Sequence, residues 1–215
     1  MDMRGATPYI VGMTDLSPRE QMIRTALTLF KHNGYHATTW RNLVEEAGTP
    51  WGSAYHYFPG GKVQLGIEAV TMAGREVAAQ IKHQFATAAS PTAALHVFIE
   101  MFAVSLETSG YRAGCPVATV ALETTPETPQ MAEACAAAFA LWEAAMAEGL
   151  QHFGRPPEEA KRLAVILLAL YEGALVVSRV SRSTAPLMQC AAHMGALLSG
   201  PAYAVDEKLM QSCEK

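Results

Sequence analysis

The stretch ATTWRNLVEEAGTPWGSAYHYFPGGK, residues 37–62, decides the fold. Thr38 or Thr39 supplies a hydroxyl that caps a short helix whose Leu43, Val44 and Ala47 face inward. Gly48-Thr49-Pro50 makes a tight turn, and a second short helix runs from Trp51 to Tyr57. Two helices of about eight residues, joined by a turn of about three or four that contains glycine, have the arithmetic of a helix-turn-helix.

Upstream, Ser17-Pro18 with Glu20 reads as an N-cap, a proline at the first helical position and a capping-box acid. Met22, Ile23, Ala26, Leu27 and Phe30 then form one apolar stripe, and Asn33-Gly34 stops the helix. Downstream, Pro59-Gly60-Gly61 breaks the chain and Lys62 opens a long helix to roughly residue 86. Ser90-Pro91 starts another, ending near Ser109-Gly110, and a short one follows from Pro116 to about Glu123. Breaks at Thr125-Pro126 and Thr128-Pro129 precede a helix ending at Phe153-Gly154; two more fill 157–182 and 186–198. Apolar spacing is helical throughout and almost nowhere alternates, so the class is all-α, with about nine helices. The expected domains are 1–62, a three-helix unit ordered from about residue 17, and 63–215, a helical body.

Residues 37–62 closely resemble the DNA-binding pattern of the TetR family through Thr38, Thr39, Arg41, Leu43, Ala47, Gly48, Gly52, Ser53, Tyr55, Tyr57, Phe58 and Lys62. HYFPGGK at 56–62, GCPVATVALETT at 114–125 and Phe139 with Trp142 resemble the subgroup that contains LmrA and YxaF. The resemblance implies a dimeric transcriptional repressor on a near-palindromic double-stranded operator, released by a small apolar effector. It also implies pairing through 157–182 and 186–198. An activator or ligand-independent regulator of the same fold stays open. An enzyme in the helical body finds no nucleophile, base and orienter at a recognisable spacing.

The residues themselves support DNA contact. Pro50, Trp51, Gly52, Ser53, His56 and Tyr57 line the start and open face of the second short helix, and Gly52 leaves room for close approach. Tyr55 and Tyr57 carry phenols suited to phosphate oxygens, unless they are half-buried core rings. Lys62 lies in the first turn of a helix, where the amide dipoles and an ammonium together attract phosphate. Arg41 can reach a phosphate or a guanine edge, or pair with Glu45 one turn on. Trp51 stands where the family commonly has a polar residue, and Ala54 where a larger aliphatic is usual, which bears on the DNA sequence read.

In the body, Phe98, Met101, Phe102, Val117, Val120, Ala121, Phe139, Trp142, Met146 and Tyr171 form the expected apolar wall of an effector pocket, unless they are simply core. Glu123, Glu143 and Glu172 are the acids placed to face it. Between Leu163 and Val177 the chain is apolar around nearly the whole helix, which calls for cover on several sides. Glu172 interrupts that run, so a buried helix suits it better than a membrane span. Gly173, Ala174 and Ser178 are small enough for close pairing, with Ala174 expected to face outward. The N-terminus lacks the apolar region of a secretory signal, so a cytoplasmic location is expected.

The net charge of −4 divides unevenly: residues 1–65 hold six cations against five acids, leaving the remainder at −5. Cys115, Cys135, Cys190 and Cys213 form no CxxC pair and read as free thiols. Cys190 and His193 share a helix face, but no second ligand pair accompanies them, so neither metal nor cofactor is expected. Cys115 precedes a helix start, a position that depresses a thiol pKa.

Overall fold

The computed structural model describes residues 16–124 and 128–199. The break expected at 125–126 and Cys213 lie outside them. Within the described residues the elements are α1 (Pro18–Asn33), α2 (Trp40–Glu46), α3 (Trp51–Tyr57), α4 (Gly61–Thr87), α5 (Pro91–Thr108), α6 (Pro116–Thr124), α7 (Pro129–His152), α8 (Pro157–Ser181) and α9 (Ala185–Ser199), with no strand among them.

The caps follow the local chemistry. Ser17 Oγ accepts from the Glu20 amide at 3.2 Å, Thr39 Oγ1 from Asn42 at 3.1 Å and Ser90 Oγ from Ala93 at 3.1 Å. The choice between Thr38 and Thr39 therefore resolves to Thr39. Thr38 is buried, and its hydroxyl donates to the Gly34 carbonyl at 2.7 Å. Gly48 takes φ +60° in the turn between α2 and α3, a backbone shape that costs a side-chain-bearing residue strain.

Helices α1 to α3 close around Met22, Leu27, Phe30, Leu43, Val44, Ala54 and Phe58, all buried. Helix α4 belongs to this head and to the body at once. From its first turns to its middle it packs on α1, where Arg19 pairs with Glu68 and Arg24 Nη2 reaches Glu76 at 2.9 Å. The boundary expected after residue 62 falls in its first turn. Further on, α4 makes the most extensive helix pair of the fold, with α7. Gly74 sets how closely they approach: a Cβ there would lie 2.9 Å from the Ala138 Cβ.

Helices α5 to α9 complete the body, α6 packing on α7, α4 and α1. By length and composition α8 is apolar enough to cross a bilayer, yet it packs on α7 and α9 and turns Leu167, Leu168, Tyr171 and Leu175 into the core. Its other side is uncovered, with Val165, Ile166, Leu170, Val176, Val177 and Val180 exposed. Ala174 packs against the core, whereas Gly173, which has nothing near it, and Ala169 are exposed small residues of this helix.

Candidate DNA-binding face and effector cavity

The turn after α2 swings α3 onto the surface, held by Ala54 underneath and by Phe58, which is sealed in the core. Outward from α3 stand Trp51 (47% exposed) and Tyr55 (52%), their ring centroids 6.5 Å apart. Trp40 of α2 lies against Tyr55, centroids 5.4 Å apart, so three rings form a ridge along the exposed side. Pro50, Gly52 and His56 are exposed, Ser53 and Tyr57 half-buried, and a Cβ on Gly52 would meet nothing within 4 Å. Thr39 and Arg41 are exposed beside them on α2.

Three expectations change in detail. Thr38 faces the interior. Arg41 Nε donates to Glu45 Oε1 at 2.7 Å, which holds the guanidinium on its own helix and raises its pKa. Lys62 stands at the start of α4 as expected, but its ammonium sits 4.1 Å from the centroid of the Tyr35 ring. Burial lowers the Lys62 pKa, and the nearby Glu123 partly restores it.

The ten residues expected to wall a pocket divide into packed groups. Phe98, Phe102 and Tyr171 form a buried triad with centroids 4.9 to 5.5 Å apart. Trp142 is 2% exposed, sits edge-on to Phe139 and donates its indole N–H to the Gly74 carbonyl at 2.9 Å, a satisfied core position. Val117, Val120 and Met146 are buried, and Met101 and Ala121 are partly so.

A cavity of about 410 Å³ lies beside this group, between α6, α8 and the segment joining α5 to α6, and none of the ten lines it. Ala118, Leu122, Leu175, Val176 and Val180 give it apolar walls; Glu123, Glu172 and Arg179 are its charged lining, with Cys115 and Tyr111 beside them. Two of the three suspected acids are thus present, and Glu143 is not. Both carboxylate oxygens of Glu172 are shut off from solvent without a hydrogen-bond partner. Burial pushes its pKa up to about 7, opposed by the adjacent Cys115 thiol. The depressed Cys115 pKa expected from its helix-start position is not what the structure gives. Burial raises it well above the usual value, Glu172 adds to that, and the amides of Ala118 and Val117 offset only part.

What sequence reading missed is the tie between this cavity and the head. Glu123, on the cavity wall, accepts the His36 amide proton on Oε2 at 2.7 Å, and its own carbonyl accepts from His36 Nε2 at 2.7 Å. Gly34 makes room for it: at φ +87°, a Cβ would overlap the Glu123 carboxylate. The Gly114 amide donates to the Lys31 carbonyl at 3.1 Å, and Lys31 Nζ to Ser105 Oγ at 3.0 Å. Partners up to 87 positions apart leave no local trace in a sequence.

Two short helices at a fixed turn, with the second exposed and its glycine open to approach, define a helix-turn-helix DNA-binding regulator. Residues 22–70 match the model of the bacterial regulatory proteins of the tetR family, and residues 91–193 match that of the LmrA/YxaF-like transcriptional regulator C-terminal domain. The chain belongs to the TetR family of transcriptional regulators, in its LmrA/YxaF-like branch. It is 39% identical over 176 residues to the HTH-type regulator Rv0196 of Mycobacterium tuberculosis, covering 79% of this chain and 88% of that one. It is 34% identical over 180 residues to the regulator YxaF of Bacillus subtilis, covering 84% and 94%. A TetR regulator from Legionella pneumophila has the same fold, with a TM-score of 0.75 at 18% identity over 86% of this chain and 99% of that one. The family is one of regulators, not of enzymes.

Proposed function

We propose that this regulator is a dimeric cytoplasmic repressor that leaves its operator when a small, largely apolar ligand enters the helical body. The observation that carries the reading is the physical tie between cavity and head: Glu123 is at once a wall of the cavity and the hydrogen-bond partner of His36, in the turn between α1 and α2. A ligand that displaces α6 moves that turn, and with it α2 and α3. The long α4, shared by head and body, offers a second route. Binding of ligand and DNA are then reciprocally linked, each weakening the other by the same factor.

Dimerisation is supported by the uncovered apolar side of α8. Ile166, Leu170, Gly173, Val177 and Val180 recur every three or four residues along it, and Val180 is 80% exposed. A continuous apolar stripe of this kind marks an interaction surface. With α9 beside it, the pairing expected for 157–182 and 186–198 uses this face. Residues 1–62 serve as the DNA-binding domain and 63–215 as the effector and dimer domain. On DNA, Thr39, Arg41, Pro50, Trp51, Gly52, Ser53, Tyr55, His56 and Tyr57 meet the operator, with Trp51 placed to touch a thymine methyl. Lys62 joins them by leaving the Tyr35 ring for a phosphate.

The test is fluorescence anisotropy with DNA from upstream of the chain's own gene and with random DNA, each titrated in a panel of apolar compounds. Preferential binding that one compound reverses supports the reading. Preferential binding that no compound disturbs leaves a regulator without ligand control.

A further inference from the structure

The cavity between α6 and α8 holds one feature that an apolar ligand site does not need, a carboxylate without a partner. Glu172 lines it, both its oxygens are hidden from water, and neither is hydrogen-bonded among the described groups. Leaving a buried acceptor of this kind unmatched is costly, and the cost is relieved by whatever supplies a donor. What the protein offers it is the Cys115 thiol, a weak donor that lowers the Glu172 pKa only in part; Ala118, Leu175 and Val176 of the same lining are apolar.

The cavity's cation is elsewhere. Arg179 stands seven residues beyond Glu172 on α8, about 10 Å along the helix at its ordinary rise. It lies against Gly114, at the end next to α1, where burial lowers the pKa of His32, an effect to which Lys31, Arg112 and Arg179 add. Glu123, the second acid, is engaged by His36. One end of the cavity is therefore anionic and unpaired, with an apolar middle.

We infer that the effector carries a protonated nitrogen, an amine or amidinium on an apolar or aromatic body, which the Glu172 carboxylate binds. This rests on the reading of the cavity as the effector site and names the chemical class that site selects. A charge-assisted hydrogen bond to a buried carboxylate is among the stronger polar contacts available to a small ligand. The cavity volume of about 410 Å³ suits a molecule of two or three rings. Cys115, from the segment before α6, is the titratable group beside Glu172; Tyr111 from the same segment, Glu123 from α6 and Arg179 from α8 share the cavity lining, with Lys31 of α1 beyond Cys115. Because the raised carboxyl must give up its proton to meet a cation, affinity for the cation should climb from about pH 6 to about pH 8.

The experiment uses the full chain and three probes of one shape: biphenyl-4-carboxamidine, biphenyl-4-carboxamide and biphenyl-4-carboxylate. Isothermal titration calorimetry measures each, and anisotropy of labelled operator measures release. The amidinium is expected to bind at least about tenfold tighter than the amide or the carboxylate, the fold-change of one charged hydrogen bond. Glu172→Gln, which keeps the shape, should reduce that preference to within about threefold, while Arg179→Gln should leave it in place. A preference for the carboxylate, or an amidinium preference that survives Glu172→Gln, overturns the inference. Equal binding of amidinium and amide, with DNA released by both, keeps the cavity as effector site and removes only the cation. No binding by any of the three overturns both.

Discussion

The head and the body keep their polar groups in opposite places. In α1 to α3, polar side chains close local ends: Ser17 and Thr39 cap helices, Thr38 ties back to Gly34, and Arg24 joins Glu20 to Glu76. What the head leaves outside is a ridge of aromatic rings on short, rigid side chains. The body reverses this. It leaves aliphatic residues outside along α8 and keeps an unpartnered acid within. The difference teaches that the head closes its helix ends from within, leaving unmatched, among the described residues, only single nitrogens such as the buried Trp40 Nε1, which suits the presentation of fixed groups to DNA. The body has two unfinished places, an uncovered face and an unmatched carboxylate, and each calls for a second molecule.

The sharpest way to break this contrast is a charge on the uncovered face. Val177→Glu should leave the monomer folded, because Val177 faces outward, but bury an unpaired charge in the pair. Sedimentation should show monomers, with operator affinity down by about a hundredfold or more. The next effect comes from the unmatched acid. Burial raises Glu172 from 4.5 to about 7, so the folded chain holds this proton where the unfolded chain has lost it. Stability therefore falls as pH rises through that range, by about 3 kcal/mol once it is passed. Glu172→Gln cannot ionise, so it should be more stable than the parent by up to about 3 kcal/mol near pH 8 and hardly different near pH 4, by urea denaturation.

Smaller effects sharpen the comparison from the packing side. Gly74→Val forces side-chain atoms between α4 and α7, where even a Cβ lies 3.0 Å from the Ala138 Cα. It should cost about 2 kcal/mol and lower the melting temperature. Thr39→Ala removes the cap of α2 and should cost about 1 kcal/mol, seen as faster amide exchange at Asn42.

The contrast also explains what could be read from the chain. The head is specified by neighbours in sequence: Ser17 with Glu20, Thr39 with Asn42 and Gly48 in its turn all act within a few residues. The all-α class and the bounds of α3 were accordingly legible. The body is specified across distance. That Trp142 spends its N–H on Gly74, that Lys62 lies over Tyr35 and that Glu123 holds His36 depend on helices meeting in space. An apolar stripe reads the same whether it fills a core or walls a cavity. Phe98, Phe102 and Tyr171 pack on one another, while the cavity beside them is bounded by Leu122, Val176 and Val180.

Regulation by this chain depends most directly on what the exposed face of α3 does with DNA, and footprinting measures it. The full chain is titrated onto DNA from upstream of its own gene and onto random DNA of equal length, at the same salt. Two protected half-sites, related by a near-dyad and about one helical turn or more apart, are predicted, bound at least about a thousandfold tighter than the random sequence. Protection no stronger than on random DNA would contradict it.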